Sequence, residues 1–124
     1  MTRLLVALSF LLLTGCQNTD VRYKVLIGAT MVAENGARPI VDSVIVIAGK
    51  KIRSVGERKD VPIPQNSDRT DLAGRWIVPA PGNRIDVDNE ADLLILDHAP
   101  AGAVPANPAD IGARIILGEW QAGK

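Results

Sequence analysis

The acidic stretch at residues 86–92 is the part of the chain whose residue types and spacing most closely imitate a metal-binding motif. It reads D-x-D-x-E-x-D, and Asp97 stands at the twelfth position counted from Asp86. Carboxylates at alternating positions with an acidic residue at position twelve are typical of a calcium loop. That loop needs glycine at position six, where this chain has Ala91, and a strand-like run follows instead of a helix. The pattern therefore favours a solvated acidic turn.

Other catalytic constellations lack their partners. His98 is the single histidine, whereas a zinc centre needs three or four nitrogen, sulfur or carboxylate ligands. For Ser43, Ser54 and Ser67 only His98 could act as the base of a triad, and no G-x-S-x-G elbow is present. We expect His98 to be a surface residue at a strand end. The sequence predicts no catalytic residue, no metal ligand and no cofactor.

The charge balance argues against nucleic acid as a partner. The chain has 14 basic and 14 acidic side chains and a formal net charge of zero, without a basic run. Beyond residue 16 its aromatic residues are Tyr23, Trp76 and Trp120. Three scattered rings do not predict a stacking platform for bases.

The first 15 residues have the pattern of a secretory signal peptide. Arg3 precedes an apolar run at residues 4–13, and small residues lead to Cys16. The apolar run is too short to cross a bilayer, which takes about 20 residues. Cys16 is the single cysteine, which excludes an intrachain disulfide.

The Leu-Thr-Gly-Cys segment ending at Cys16 resembles the bacterial lipobox. The resemblance implies that Cys16 carries lipid and begins the mature chain, with residues 16–22 as a tether. Gln17 after the cysteine implies the periplasmic face of the outer membrane. The alternative is an ordinary secretory signal with a chance cysteine.

Residues 23–124 predict one small all-β domain, a β-sandwich or open barrel of about seven or eight short strands. No amphipathic helix of ten or more residues is visible. Turns are expected at Asn35-Gly36, Gly49-Lys50, Ala73-Gly74 and Gly118-Glu119. The expected strands are residues 23–33 (divided at Gly28), 43–48, 51–56, 69–72, 75–78, 92–97, 111–117 and 120–122.

The expected core consists of the apolar side chains of these strands, with both tryptophans covering its ends. It comprises Leu26, Ile27, Val32, Val44, Val46, Ile52, Val55, Ile77, Leu93, Ile95, Ile115 and Leu117.

The order of several motifs resembles the amidohydrolase superfamily of metal-dependent hydrolases. Gly28-Ala29-Thr30, a hairpin at residues 45–56 and an exit containing Asp71, Gly74, Val78 and Pro79 resemble the family's N-terminal segment. Residues 90–100, EADLLILDHAP, and the later ARIILGEW resemble the segment that follows its barrel. The resemblance implies that both parts fold together as the composite β-sandwich domain of those enzymes.

In that family a metal-binding (β/α)8 barrel is inserted between the two segments. A barrel takes about 200–250 residues, and this chain has only residues 80–90 at the insertion point. The family's exit motif P-G-L-I-D-x-H-x-H is matched by Pro81-Gly82 and Ile85-Asp86, but both histidines are absent. The insertion point is therefore expected to be collapsed.

These observations predict a membrane-anchored, non-catalytic domain that serves binding or self-association. Its expected partner is a second copy or another protein, on the face that a barrel would otherwise cover. The alternative is a hydrolase acting on C–N bonds, either as a remnant or with a barrel supplied by another chain. A third possibility is a deletion product without a selected role.

Overall fold

A computed structural model describes residues 22–34, 36–100 and 111–121 as a small all-β sandwich, which confirms the predicted fold class. Within these ranges no helix is long and apolar enough to cross a membrane. The predicted signal peptide, Cys16, Gln17 and the tether before Arg22 lie outside the described residues. The nine described strands are β1 (Tyr23–Ile27), β2 (Thr30–Met31), β3 (Ser43–Ala48), β4 (Lys51–Glu57), β5 (Ser67–Asp71), β6 (Trp76–Pro79), β7 (Leu93–Leu96), β8 (Ile111–Ile116) and β9 (Glu119–Trp120).

The strands form two sheets. The first has the order β4-β3-β1-β5 and the second the order β2-β6-β7-β8-β9. Neighbouring strands are antiparallel except for two parallel pairs, β1 with β5 and β2 with β6. The hairpins β3–β4 and β8–β9 follow from the tight turns between them, whereas the parallel pairs join segments about 45 residues apart.

Both parallel pairs arise because two segments change sheets side by side. The first segment leaves β1 at Gly28 and continues as β2, which confirms the predicted division of that strand. The second leaves β5, turns at Ala73-Gly74 as predicted, and continues as β6. The amide of Leu72 donates to the carbonyl of Ile27 at 2.7 Å, and the amide of Thr30 donates to Arg75 at 3.0 Å. These bonds keep the two segments paired across the crossing.

Apolar side chains occupy three layers rather than one. The main core lies between the sheets, and smaller clusters cover the outer face of each sheet. All four residues of β7 are buried. Because neighbouring residues of a strand point to opposite faces, both faces of the second sheet are covered at this strand. The main core contains Leu26, Met31, Ile45, Ile47, Ile52, Ile77, Leu93, Ile95 and Ile115; the outer clusters contain Val25, Val44, Val46 and Val61, and Val32, Val78, Leu94 and Leu96.

A bulge explains one irregular spacing in the sequence. Ile52 and Val55 are three residues apart, yet both contact the main core. Val46 pairs with Ser54 and Ile47 pairs with Ile52, so Arg53 is left over in β4. The extra residue restores the alternation that a regular strand would lose.

The predicted core was wrong at one end of the chain. Leu117 is 37% exposed because the last turn is Leu117-Gly118 and not Gly118-Glu119, so β8 ends at Ile116. Ile27 is half-buried on an outer face, and Trp120 is 37% exposed at an edge strand. Val25 and Leu94 were missed because the outer layers bury positions that a two-layer pattern assigns to solvent. Ile45 was missed because Val44 and Val46, which face an outer layer, were assigned to the core in its place.

Candidate functional site

Residues 80–92, here called the seam, connect β6 to β7 at the expected insertion point. The amide of Ala80 donates to the carbonyl of Asp92 at 3.0 Å, so the two ends of the seam are adjacent. The chain then turns through Pro81 and Gly82, and the amide of Asn83 donates back to Ala80 at 3.0 Å. Gly82 has φ +83°, and proline followed by such a glycine is typical of a type II turn. Pro81-Gly82 therefore reverses the chain at the start of the seam.

The seam then crosses to the first sheet and pairs with its edge. The amide of Asp88 donates to the carbonyl of Ile52 at 2.8 Å, and the Ile52 amide donates to Asn89 at 2.9 Å. The amide of Ala91 donates to Lys50 at 2.8 Å. The beginning of β4 would otherwise be an unpaired edge. The seam thus joins the two sheets by backbone hydrogen bonds at one corner of the sandwich.

The seam also contributes apolar side chains to the main core. Ile85 is 4% exposed and Ala91 is fully buried. The amide of Ile85 donates to the carbonyl of Ala33 at 2.9 Å, which fixes the entry of its side chain between the sheets. Burying a side chain of this size stabilises a fold by about 1.5–3 kcal/mol. The Ile85-Asp86 pair of the exit motif therefore has a structural use here.

The carboxylates of the calcium-like pattern are engaged at separate points. Asp86 accepts a hydrogen bond from the Val87 amide at 2.8 Å and lies 3.5 Å from the guanidinium of Arg84. Asp92 accepts from the amide of Leu117 at 2.7 Å. These carboxylates serve a local turn and the last hairpin, and they do not converge.

The end of the pattern diverges further. Asp97 lies 3.5 Å from Arg75, and the exposed His98 follows β7 as predicted. In the described ranges, no three histidine, cysteine, aspartate or glutamate side chains come together in a geometry suited to a metal ion. The seam consequently has carboxylates without a ligand cage.

A shallow groove of about 220 Å³ adjoins the seam. Its lining comprises Ala33, Glu34, Arg84, Ile85 and Asp86. The guanidinium of Arg84 lies 3.7 Å from Glu34 and 3.5 Å from Asp86. All three charged side chains are more than half exposed, so these ion pairs add little stability. The groove thus contains a cation paired with two carboxylates, and the next residue along the chain, Val87, is exposed.

The tip of the β8–β9 hairpin is a second surface, and sequence reasoning missed it. Leu117 and Gly118 have φ +48° and +81°, as the two central residues of a type I′ hairpin turn do. The signal was present, since Gly118 follows an apolar strand and a two-residue loop ending in glycine favours that turn. Apolar Leu117 concealed it by extending the strand pattern.

The described fold defines a small two-sheet β-sandwich. No family model matches the chain, and no curated protein matches it. The chain is similar to a solved structure of molinate hydrolase, with 24% identity and a TM-score of 0.43. That similarity covers 51% of this chain and 14% of the molinate hydrolase chain.

Proposed function

We propose that this protein is a lipid-anchored, non-catalytic β-sandwich domain that serves as a binding or self-association module. The observation that carries the proposal is the seam. Its backbone pairs with both sheets and two of its side chains, Ile85 and Ala91, fill the core. The sequence resemblance implies a catalytic barrel at this position in related enzymes. Here the same position stabilises the sandwich.

The anchor is the lipid proposed on Cys16. The short apolar segment and the following small residues support export and lipidation. Two or more acyl chains hold a protein firmly on a membrane, whereas one chain gives marginal binding. The domain would then be held at the periplasmic face of the outer membrane by a tether of a few residues.

The binding surface would be the region around the seam, where a barrel would leave the sandwich. Val87 is 48% exposed there, beside the groove that contains Arg84. In such an interface Val87 would be an apolar contact, and Glu34, Arg84 and Asp86 would belong to the polar rim. The proposed occupant is a second copy of the chain or another envelope protein.

Catalysis is tested on the protein purified from membranes. Bound zinc and nickel are measured, and turnover of amide and ester substrates is followed with and without a chelator. The proposal expects neither stoichiometric metal nor chelator-sensitive turnover. Stoichiometric metal with turnover that the chelator abolishes would overturn it in favour of a hydrolase acting on C–N bonds.

The anchor and the interface are tested separately. Mass spectrometry of the N-terminal peptide is expected to find lipid on Cys16, and Cys16→Ser is expected to release the protein from membranes. Sedimentation at tens of micromolar, together with crosslinking in intact envelopes, reports association. A monomer without any crosslinked partner would contradict the binding module while leaving the anchor intact.

A further inference from the structure

Exposed apolar side chains are concentrated at the β8–β9 hairpin. Among the described residues, the large hydrophobic side chains with the greatest exposure include Ile116, Leu117 and Trp120, at 41%, 37% and 37%. These three residues, here called the tip, lie within five positions of one another. The remaining two such residues, Val41 and Val87, lie in other loops. The tip is therefore the described stretch of sequence with the most exposed large apolar residues, with Ile116 and Trp120 on opposite faces of the hairpin.

The backbone of the tip is strained at Leu117. A positive φ is unfavourable for a residue with a branched apolar side chain, and the first central position of this turn favours asparagine, aspartate or glycine. Leu117 is nevertheless at φ +48° with its side chain partly in solvent. Local propensity does not explain leucine here, and 37% of the residue remains exposed. Strain of this kind points to a contact that the side chain makes outside the fold.

The tip lies at the end of the sandwich where the tether enters. The Nζ of Lys24 donates to the carbonyl of Gly118 and lies 3.8 Å from the carboxylate of Glu119. Arg22, the first described residue, lines a small cavity together with Glu119. Cys16 is six residues before Arg22, and six extended residues span at most about 20 Å. A lipid on Cys16 would hold this end of the domain close to the bilayer.

Cationic side chains lie near the tip, whose turn also contains the exposed carboxylate of Glu119. Arg114 is exposed on β8, two residues before Ile116 and on the same face. Lys50 is exposed in the β3–β4 turn, and a Cβ on Gly118 would lie 3.3 Å from the Lys50 Cα. Trp120 pairs with Ile115 and lies on the opposite face from Arg114, so the tip has apolar side chains on both faces. Tryptophan suits the membrane–water interface because the indole has an apolar body and a polar edge.

We propose that the tip is a membrane contact, which places Trp120 and Leu117 at the lipid headgroup level and fixes the orientation of the anchored domain. The proposal rests on the lipid anchor of the proposed function. Attachment comes from the acyl chains, and the tip determines which end of the sandwich faces the bilayer. The groove lined by Glu34, Arg84 and Asp86 is then left to the protein partner.

The experiment uses the lipidated protein in vesicles of phosphatidylethanolamine and phosphatidylglycerol. Trp76→Phe leaves Trp120 as the tryptophan reporter, and Trp120→Phe leaves the half-buried Trp76 as the matched control. Lipids brominated near the headgroup are expected to quench Trp120 roughly twofold or more above Trp76. Equal quenching of the two tryptophans would overturn the proposal.

Leu117→Asn separates this role from a structural one. Asparagine suits the positive φ, so the Tm is expected to rise by roughly 4 °C while quenching of Trp120 falls towards that of Trp76. Unchanged quenching in this variant would contradict a membrane role for Leu117. The variant is made in the Trp76→Phe background, so that the quenching reports on Trp120 alone.

Vesicle flotation and the mass of the N-terminal peptide distinguish the two failures. Protein that does not float and has no lipid on Cys16 overturns the anchor and, with it, the membrane contact. Protein that floats while Trp120 is shielded from both brominated lipid and aqueous iodide indicates that a second copy covers the tip. That result overturns the membrane contact and leaves the anchor standing.

Discussion

Gly118 is expected to be the least replaceable residue of the last hairpin. Its amide donates to the carbonyl of Ala91 at 3.0 Å, and its carbonyl accepts from Lys24. A Cβ added to Gly118 would lie 1.9 Å from the carbonyl oxygen of Gly49, where ordinary contact begins at 3.4 Å. Gly118→Ala would therefore force the β8–β9 turn away from the β3–β4 turn.

The cost has two separable parts. The φ of +81° costs an alanine about 1–2 kcal/mol. Separating the turns by more than 1 Å breaks the two hydrogen bonds, each worth about 0.5–1.5 kcal/mol. Together they lower the free energy of unfolding by about 3 kcal/mol. For a domain of this size that loss lowers the Tm by roughly 12 °C or more.

Thermal unfolding followed by circular dichroism measures the effect on the mature chain. Gly82→Ala is the matched control, since Gly82 has φ +83° and no atom within 4 Å of an added Cβ. It carries the conformational cost without the collision, so its Tm should fall by about half as much. Equal losses in both variants would refute the packing of Gly118 against Gly49.

Four other outcomes follow from the described contacts. Ile85→Ala should lower the free energy of unfolding by about 2–5 kcal/mol, whereas Val87→Ala, at an exposed seam position, should change it little. Similar losses for the two variants in a urea titration would show that the seam is not part of the core. Ser43→Ala should lower it by about 1 kcal/mol in the same assay, since the buried Ser43 hydroxyl donates to a carbonyl at 2.8 Å; a neutral result would argue that this bond adds nothing. The hydrogen bond from Arg58 holds the pKa of Asp42 below its ordinary 3.8, so the stabilisation by the pair is complete above that pH and is lost as the pH falls through the lower folded pKa. The Tm difference between wild type and Arg58→Gln should therefore shrink only in that acidic range. A difference that disappears at neutral pH would contradict the pairing. Micromolar calcium should leave the Tm unchanged, because the seam carboxylates are engaged separately, and a marked rise would restore the calcium-loop interpretation.

Local signals in the sequence were sufficient for most strands. The β-branched run of β3 was predicted with the bounds that the structure has, and the Pro81-Gly82 and Ala73-Gly74 turns formed where proline and glycine favour them. These features depend on residues that are close in sequence. Errors of one or two residues occurred at strand ends, where hydrogen bonding to a distant partner decides the bound.

Layering was not predictable in the same way. Val25 and Leu26 are adjacent and both buried, but whether one or both faces of a sheet are covered depends on other segments. The residues around Val61 cover one outer face, and their sequence, rich in proline, indicates only an extended chain. Parallel pairing of β1 with β5 likewise depends on contacts that no local pattern encodes.

The seam connects two consecutive strands, yet it contacts parts of the fold that are distant in sequence. A short hairpin loop would have joined β6 to β7, yet residues 80–92 travel to β4, where the Ile52 backbone donates to one seam residue and accepts from another. The last hairpin then depends on the seam, since Asp92 and Ala91 accept from the amides of Leu117 and Gly118. An insertion at this point would have to reproduce or displace all of these bonds. The acidic pattern that imitates a metal loop thus has a structural explanation. Backbone pairing and buried Ile85 determine the path of the seam, while the carboxylates of Asp86 and Asp92 accept hydrogen bonds from a local turn and from the last hairpin.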